Sequence, residues 1–235
     1  MRGGDDTMIA TIDVADIGRW SLTQAMRHRP APGDVSGLRW LDVAPAAALA
    51  SFKPPGFRRA VLFAMWDDEA SARVFADTHP LAQRFVGNGF HAVLRPLRAF
   101  GSWPGLPAEV SRNRVTQHDA PVIVTTLGRL RLTQAFRFFR ASRPAERAAI
   151  NAEGFMWGTA AVRPPFVATV SAWSSDKTAA AYAYADSDEG HPGAITQQRR
   201  KDFHRESAFI RYAVTSSTGT LPGAPAIEYA PDVVP

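Results

Sequence analysis

The chain has 235 residues, of which 46% are apolar and 21% charged, enough to bury one large core or two smaller ones. It contains no cysteine, which excludes disulfides, thiolate catalysis and haem held by a thiolate. The formal net charge of +5 comes without a polybasic block, so we predict no nucleic-acid partner. We find neither an apolar run of about 18 residues nor a secretory signal, and expect a cytoplasmic protein without stable membrane insertion.

The predicted elements follow the order strand, helix, strand, strand, helix, strand twice along the chain. Short apolar runs predict the strands of the first half at 8–14, 37–44, 59–66 and 90–97. Similar runs predict the strands of the second half at 121–127, 154–162, 166–173 and 208–214. Periodic apolar residues and polar caps predict helices at 18–29, 69–77, 128–142 and 177–186.

This order is that of the ferredoxin-like split βαβ unit, so the sequence predicts an α+β fold made of two such repeats. The first repeat covers 8–97 and the second 120–215, and two units of this kind can pack sheet to sheet around a barrel-like core. A connector rich in Gly, Pro and polar residues is predicted at 98–119, and an extended tail at 216–235.

The two halves also resemble each other in sequence. SLTQAM at 21–26 corresponds to RLTQAF at 131–136, and THPLAQRF at 78–85 corresponds to GHPGAITQ at 190–197. The offset stays close to about 110 residues and the order is kept, which indicates a tandem duplication.

Two histidines stand out because each directly precedes a proline at the same place in its half. His79 and His191 can both begin a helix there, since proline is favoured in a first helical turn. The alternative is that one imidazole points into a cleft between sheet and helices, where neutral imidazole is a good ligand for haem iron. A third histidine, His204, lies in a polar run and is expected at the surface.

Several side chains in the second half suit a planar anionic ligand such as haem. Planar guanidinium groups can pair with propionates, and aromatic rings can form apolar walls, although rings at this spacing also fit an ordinary core. The arginines are Arg199, Arg200, Arg205 and Arg211, and the aromatic residues are Phe136, Phe139, Trp157, Trp173, Phe203 and Phe209.

The segment GHPGAITQQRRKDFHRESAFIRY at 190–212 is similar to the closing segment of the spheroidene monooxygenase family, whose members are carotenoid ketolases. The similarity is carried there by His191, Ala194, Ile195, Arg200, Glu206, Phe209 and Arg211. Weaker similarity extends over PGDVSGLRWLDV, AVLFAMWDDEASA and LRPLRAFGSWPG, so that the resemblance covers residues 8 to 214.

The resemblance implies a dimeric α+β-barrel fold, a bound haem b, and a monooxygenase that converts an apolar substrate to a ketone by C–H hydroxylation with oxygen or peroxide. It favours His191 over His79 as the iron ligand. By this resemblance Arg200 and Arg211 are the candidate partners of the propionates, and the aromatic residues Phe203, Phe209 and Trp173 could then form apolar walls around the haem.

Two arginines are also candidate catalytic residues by this resemblance, namely Arg211 and Arg199. Arg199 stands where the family has its second histidine, and Phe203 stands where the family has a tryptophan. These departures leave the substrate open more than the haem.

Three other functions fit the same residues. One is a different haem enzyme on this fold, of dehydratase or peroxidase type; another is a cofactor-free monooxygenase, because a fold does not fix a function. The third is a non-catalytic haem-binding protein. Whether the chain forms a homodimer is also open, since a chain with two repeats can complete its barrel internally.

Overall fold

The two halves are both built as predicted, in a computed structural model that describes residues 8–51, 55–114, 116, 118–184 and 203–227. The first half comprises β1 (Ile9–Asp16), α1 (Arg19–Arg27), β2 (Leu38–Ala47), β3 (Arg59–Trp66), α2 (Glu69–Thr78) and β4 (Gly89–Gly101). The second half comprises β5 (Val122–Leu130), α3 (Ala135–Ile150), β6 (Phe155–Arg163), β7 (Phe166–Trp173), α4 (Asp176–Tyr184) and β8 (His204–Thr218). Short 3-10 turns lie at Ala82–Arg84 and Leu132–Gln134. The order β-α-β-β-α-β therefore occurs twice, which confirms the α+β, ferredoxin-like prediction.

The eight strands close into one antiparallel barrel in the order β1-β3-β2-β6-β7-β5-β8-β4. Each half contributes four neighbouring strands, and the halves join along two seams. The β4–β8 seam is long and runs from His91 opposite Thr218 to Gly101 opposite Ala208. The β2–β6 seam is short and pairs Ala46 with Ala161 and Ala47 with Ala160. The predicted packing of two sheets is thus achieved by continuous hydrogen bonding between the halves.

The barrel interior is filled by side chains that alternate along every strand, as expected for strands with one face inward. An aromatic group at its centre brings Trp40 within 5.4 Å of Trp103 and 5.9 Å of Phe166, measured between ring centroids. Trp103 comes from the segment between the halves, and Leu221 and Ile227 after β8 are buried against the same core. The interior is therefore a packed core.

The helices lie on the outside of the barrel, and they pack differently in the two halves. In the first half, α1 buries Leu22 completely and α2 buries Phe75, which together with the outward side chains of the sheet form a second core. In the second half, α3 buries only Ala145 and Ala149 among its described residues. None of the described helices is long and apolar enough to cross a membrane.

The largest difference between a predicted boundary and the structure is at α3. The helix predicted at 128–142 begins instead at Ala135, because residues 128–130 continue β5: Gly128 and Arg129 pair with both β7 and β8, and Leu130 pairs with β8. Two-sided strand pairing in a closed barrel outweighs the local helical pattern at this point. The helix then extends to Ile150, past the predicted end and through Pro144.

Candidate functional site

A cavity of about 320 Å³ lies between α3 and the outer face of the second-half sheet. Its floor is made of small or branched residues that point outward from β5, β6 and β7, namely Thr126, Gly128, Ala160, Val162, Val167 and Thr169. One wall is α3, through Phe138, Phe139, Ser142, Arg143 and Glu146. The other is the segment after β2, through Ala47, Ala48, Ser51 and Pro55. This size falls at the lower end of the range for small-molecule sites.

The cavity exists because the two copies of one motif are used differently. Leu22, in the first LTQA motif, is a fully buried residue of α1, whereas its counterpart Leu132 is 63% exposed. The next apolar position of the second copy, Phe136, is 80% exposed. The start of α3 therefore does not fill the space that α1 fills, and apolar surface remains on both the sheet and the helix.

His204 lines this cavity, although the polar run around it predicts a surface position. It is the first residue of β8 and pairs with Leu130 of β5, which brings its ring over Gly128. A Cβ at Gly128 would lie 2.6 Å from Cδ2 and 2.7 Å from Nε2 of the imidazole. The ring is also 4.9 Å from Phe138 in an edge-to-face arrangement. The missing side chain of Gly128 thus makes the space that the imidazole occupies.

Two further ionisable groups, Arg143 and Glu146, line the cavity from α3. The Glu146 carboxylate accepts a hydrogen bond of 2.5 Å from the backbone N–H of Ala50, which holds the segment after β2 against the helix. Tyr182 of α4 donates to the carbonyl oxygen of Ala145 at 2.7 Å. Burial, followed by the charge of Glu146, raises the pKa of Tyr182 well above its ordinary value, so its hydroxyl stays protonated.

Three of the predicted site residues, His191, Arg199 and Arg200, lie outside the described residues. The structure places Arg211 and Trp173 together on the outer face of the sheet beneath α4. Neither residue lines the cavity described above.

Arg211 forms a buried ion pair with the first residue of α4. Its Nη1 atom donates to Oδ1 of Asp176 at 2.7 Å, and the side chains are only 5% and 6% exposed. Trp173, at the end of β7, stacks on Tyr182 of the same helix with 5.1 Å between ring centroids. Both residues therefore fix α4 on the barrel, just before the segment that contains His191.

Phe203 packs against a residue of the cavity wall, whereas Phe209 lies farther along β8. Phe203 is buried directly before β8 and has its ring centroid 6.1 Å from that of Phe138, a residue that lines the cavity. Phe209 lies opposite Thr126 of β5 and is partly buried. Phe203 thus packs against Phe138 of the cavity wall without lining the cavity itself.

Sequence reasoning missed the cavity residues His204, Gly128 and Arg143. The association of His204 with Gly128 depends on the pairing of β5 with β8, which are more than 70 residues apart along the chain. The residues next to His204 in the sequence are polar, and they predicted that its side chain would be exposed to solvent. Among the described residues, no three His, Asp or Glu side chains form a group that could hold a metal ion.

Comparison with known proteins assigns the chain to a family by its sequence. The chain is 31% identical over 229 residues to spheroidene monooxygenase of Rubrivivax gelatinosus, covering 94% of this chain and 86% of that protein. It is 24% identical over 214 residues to spheroidene monooxygenase of Rhodobacter capsulatus, covering 87% of each. No family model matches the chain.

Among solved structures, aldoxime dehydratase OxdRE in complex with butyraldoxime superimposes with a TM-score of 0.50 at 10% identity. The superposition covers 91% of this chain and 81% of that chain, and it shows a shared fold. The identity and coverage of the Rubrivivax relative are decisive for the family. The chain therefore belongs to the spheroidene monooxygenase family and is an oxidoreductase of the monooxygenase class.

Proposed function

We propose that this chain is a haem-dependent monooxygenase that hydroxylates an apolar, carotenoid-like substrate at the cavity between α3 and the second-half sheet. The observation that carries the proposal is the asymmetry of the halves. The first half fills the space beneath its helices with Leu22 and Phe75, and the second half keeps a cavity of about 320 Å³ in the corresponding place.

Two imidazoles of the second half could hold a haem: His204, which lines the cavity, and His191, which the resemblance favours. The chain has no cysteine, so a thiolate ligand is excluded, and neutral imidazole is the usual alternative. The imidazole of His204 lies over Gly128 on the cavity floor, in space that a Cβ at residue 128 would occupy. Phe138 and Phe139 offer aromatic walls, and Arg143 offers a guanidinium group that could pair with a propionate.

His191 would hold the haem iron in this proposal, on the strength of the resemblance in the segment 190–212. The buried pair Arg211–Asp176 supports the site indirectly, because it fixes the start of the helix that leads to this segment. Arg211 is thus a positioning residue, and Arg143 takes the role of propionate partner within the cavity. Arg199 and Arg200 remain candidates in the same segment as His191.

The haem, when bound, would supply the activation of oxygen or peroxide that C–H hydroxylation requires. The protein supplies an apolar site that excludes water and holds the substrate at one position. The apolar floor and aromatic wall favour a hydrocarbon chain over a polar substrate. A long polyene exceeds a cavity of this size, so only one end of it would enter.

The experiment is reconstitution of the purified protein with hemin, followed by absorption spectroscopy. We expect a Soret band for the wild type, its loss or a marked shift in His191→Ala, and an unchanged band in His79→Ala. His79 is the matched control, because it is the equivalent His-Pro histidine of the first half and its Nδ1 accepts the Leu81 N–H at 3.1 Å.

Turnover is then measured with an acyclic carotenoid, oxygen and a chemical reductant, or with peroxide. Formation of a hydroxylated or keto product supports the proposal in full. Absence of a Soret band after reconstitution would contradict every function that requires haem and would favour a cofactor-free monooxygenase. Loss of the band in His79→Ala but not in His191→Ala would move the ligand to the first half.

A further inference from the structure

The segment 131–150, which comprises the 3-10 turn at Leu132–Gln134 and α3, carries both exposed apolar side chains and a large positive charge. Residues 131–150 contain five arginines and one glutamate, a net charge of +4 in a chain whose total is +5. Leu132 and Phe136 are 63% and 80% exposed, and Ile150 at the other end of the helix is 42% exposed. Exposure of three large apolar side chains on one element is unfavourable in water unless something covers them.

These residues lie on one side of the helix. Phe136, Arg140, Arg147 and Ile150 are spaced by 4, 11 and 14 residues from the first, which places them along one stripe of an α-helix. We call Leu132, Phe136, Arg140, Arg147 and Ile150 the basic face of α3. All five are exposed, so the face is open in the described structure.

The basic face borders the cavity. Arg143 follows Phe136 by seven residues and lies on the same stripe of the helix, and Phe139 follows by three residues and lies beside it. Both line the cavity wall. An apolar molecule leaving or entering along α3 would therefore pass beside Phe136.

We infer that the basic face of α3 docks the protein on an anionic membrane surface. The apolar side chains would enter the boundary between headgroups and acyl chains, and the arginines would meet the negatively charged headgroups. Charge complementarity selects this occupant, because residues 131–150 carry a net charge of +4, which opposes binding to a second copy of the same face. Docking of this kind does not require a membrane-spanning helix. The purpose of the docking rests on the proposed function, since an apolar substrate dissolves in the same membrane.

The test is sedimentation of the purified protein with vesicles, without haem and without substrate. We expect binding to vesicles of phosphatidylcholine mixed with phosphatidylglycerol, and little binding to phosphatidylcholine alone. Phe136→Ser should lower the partition coefficient about tenfold through loss of buried apolar area. Arg140→Glu with Arg147→Glu should lower it by roughly fivefold or more for each arginine.

Val74→Ser is the matched control, because Val74 is 61% exposed on α2 of the first half. It should bind vesicles as the wild type does. Equal binding by wild type and both α3 variants would overturn the inference. So would RNA binding without vesicle binding, or a dimer in light scattering that Phe136→Ser converts to a monomer. Vesicle binding with no Soret band would instead leave docking intact and count against the proposed function alone.

Discussion

Gly128 is the residue on which the arrangement of the cavity floor depends most directly. In Gly128→Ala, the new Cβ would lie 2.6 Å from the His204 ring, so the imidazole must move away from the sheet. We expect hemin affinity or turnover to fall at least about tenfold, by the second-sphere magnitudes seen when ligands lose their support. Stability should change little, because a strand alanine is at least as favourable as glycine. Absorption titration and thermal unfolding measure the two effects separately, and an unchanged titration would show that the His204 position is immaterial.

A second residue-scale prediction concerns pH. The Nδ1 atom of His91 on β4 lies 2.7 Å from Oδ1 of Asp13 on β1. Burial lowers the pKa of His91, but the hydrogen bond and the charge of Asp13 outweigh it, so the pKa lies above its ordinary value. A raised folded-state pKa stabilises the protein below the unfolded-state pKa of about 6.5, and the contribution is lost as the pH rises through the folded-state pKa.

The stability difference between the wild type and His91→Gln should therefore be largest near about pH 5.5 and shrink by about pH 9. Urea unfolding at a series of pH values measures it. Asp13→Asn serves as the control, because it removes the partner and should abolish the same pH-dependent part. A difference that grows with pH would contradict the assignment of the ion pair.

At the scale of elements, α4 is held on the barrel by the buried pair of Arg211 and Asp176. Asp176→Asn leaves a buried guanidinium without its counter-charge, and we expect a loss of about 3–5 kcal/mol in the free energy of unfolding. The double variant Asp176→Leu with Arg211→Met should recover much of that loss, because it removes both buried charges. Denaturant unfolding tests this.

The same variants separate two roles for Arg211. If the stable double variant still takes up hemin with an unchanged Soret band, Arg211 acts by fixing α4. Loss of haem from a double variant that remains folded would instead support the direct pairing with a propionate that the resemblance implies. Asp176→Asn with wild-type stability would contradict the structural role.

The elements also show what sequence patterns can and cannot supply. Alternation and β-branching placed all eight strands, because an inward-facing residue must be apolar wherever the barrel is closed. The position of His204 could not be found in the same way. It depends on the pairing of β5 with β8, and no local pattern records that the His204 ring will lie over Gly128. The boundary of α3 failed for the same reason, since residues 128–130 are held by strands distant in sequence.

At the scale of the whole molecule, the duplicated LTQA motif provides a matched pair of substitutions. Leu22→Ala should cost about 2.7–5 kcal/mol in the free energy of unfolding, because Leu22 is fully buried. Leu132→Ala should stay within about 0.5 kcal/mol, because the Leu132 side chain itself is mostly exposed. Denaturant unfolding of both variants measures the contrast. Equal losses would mean that α3 packs on the sheet as α1 does and that the cavity is closed in solution.

The repeat itself was readable from the sequence, yet the difference between its copies was not. The two motifs share Leu, Thr, Gln and Ala, so the local sequence gives no reason for one leucine to be buried and the other exposed. The distinction arises from how each helix meets its sheet. A periodic pattern identifies a helix and its apolar stripe, but it does not determine how closely the helix packs against the sheet.

The asymmetry of the two halves also determines how many ligands one barrel can hold. Two identical chains related by a twofold axis must present the same surface twice, so a barrel made from them has two equal cavities or none. A single chain with two repeats is free of that constraint, and here the first copy of the space is filled by its own helix. A molecule that enters the cavity should therefore saturate at one equivalent per chain. Its binding curve should be hyperbolic, because the described residues of the first half fill the equivalent space and leave no second site there with which the first could cooperate.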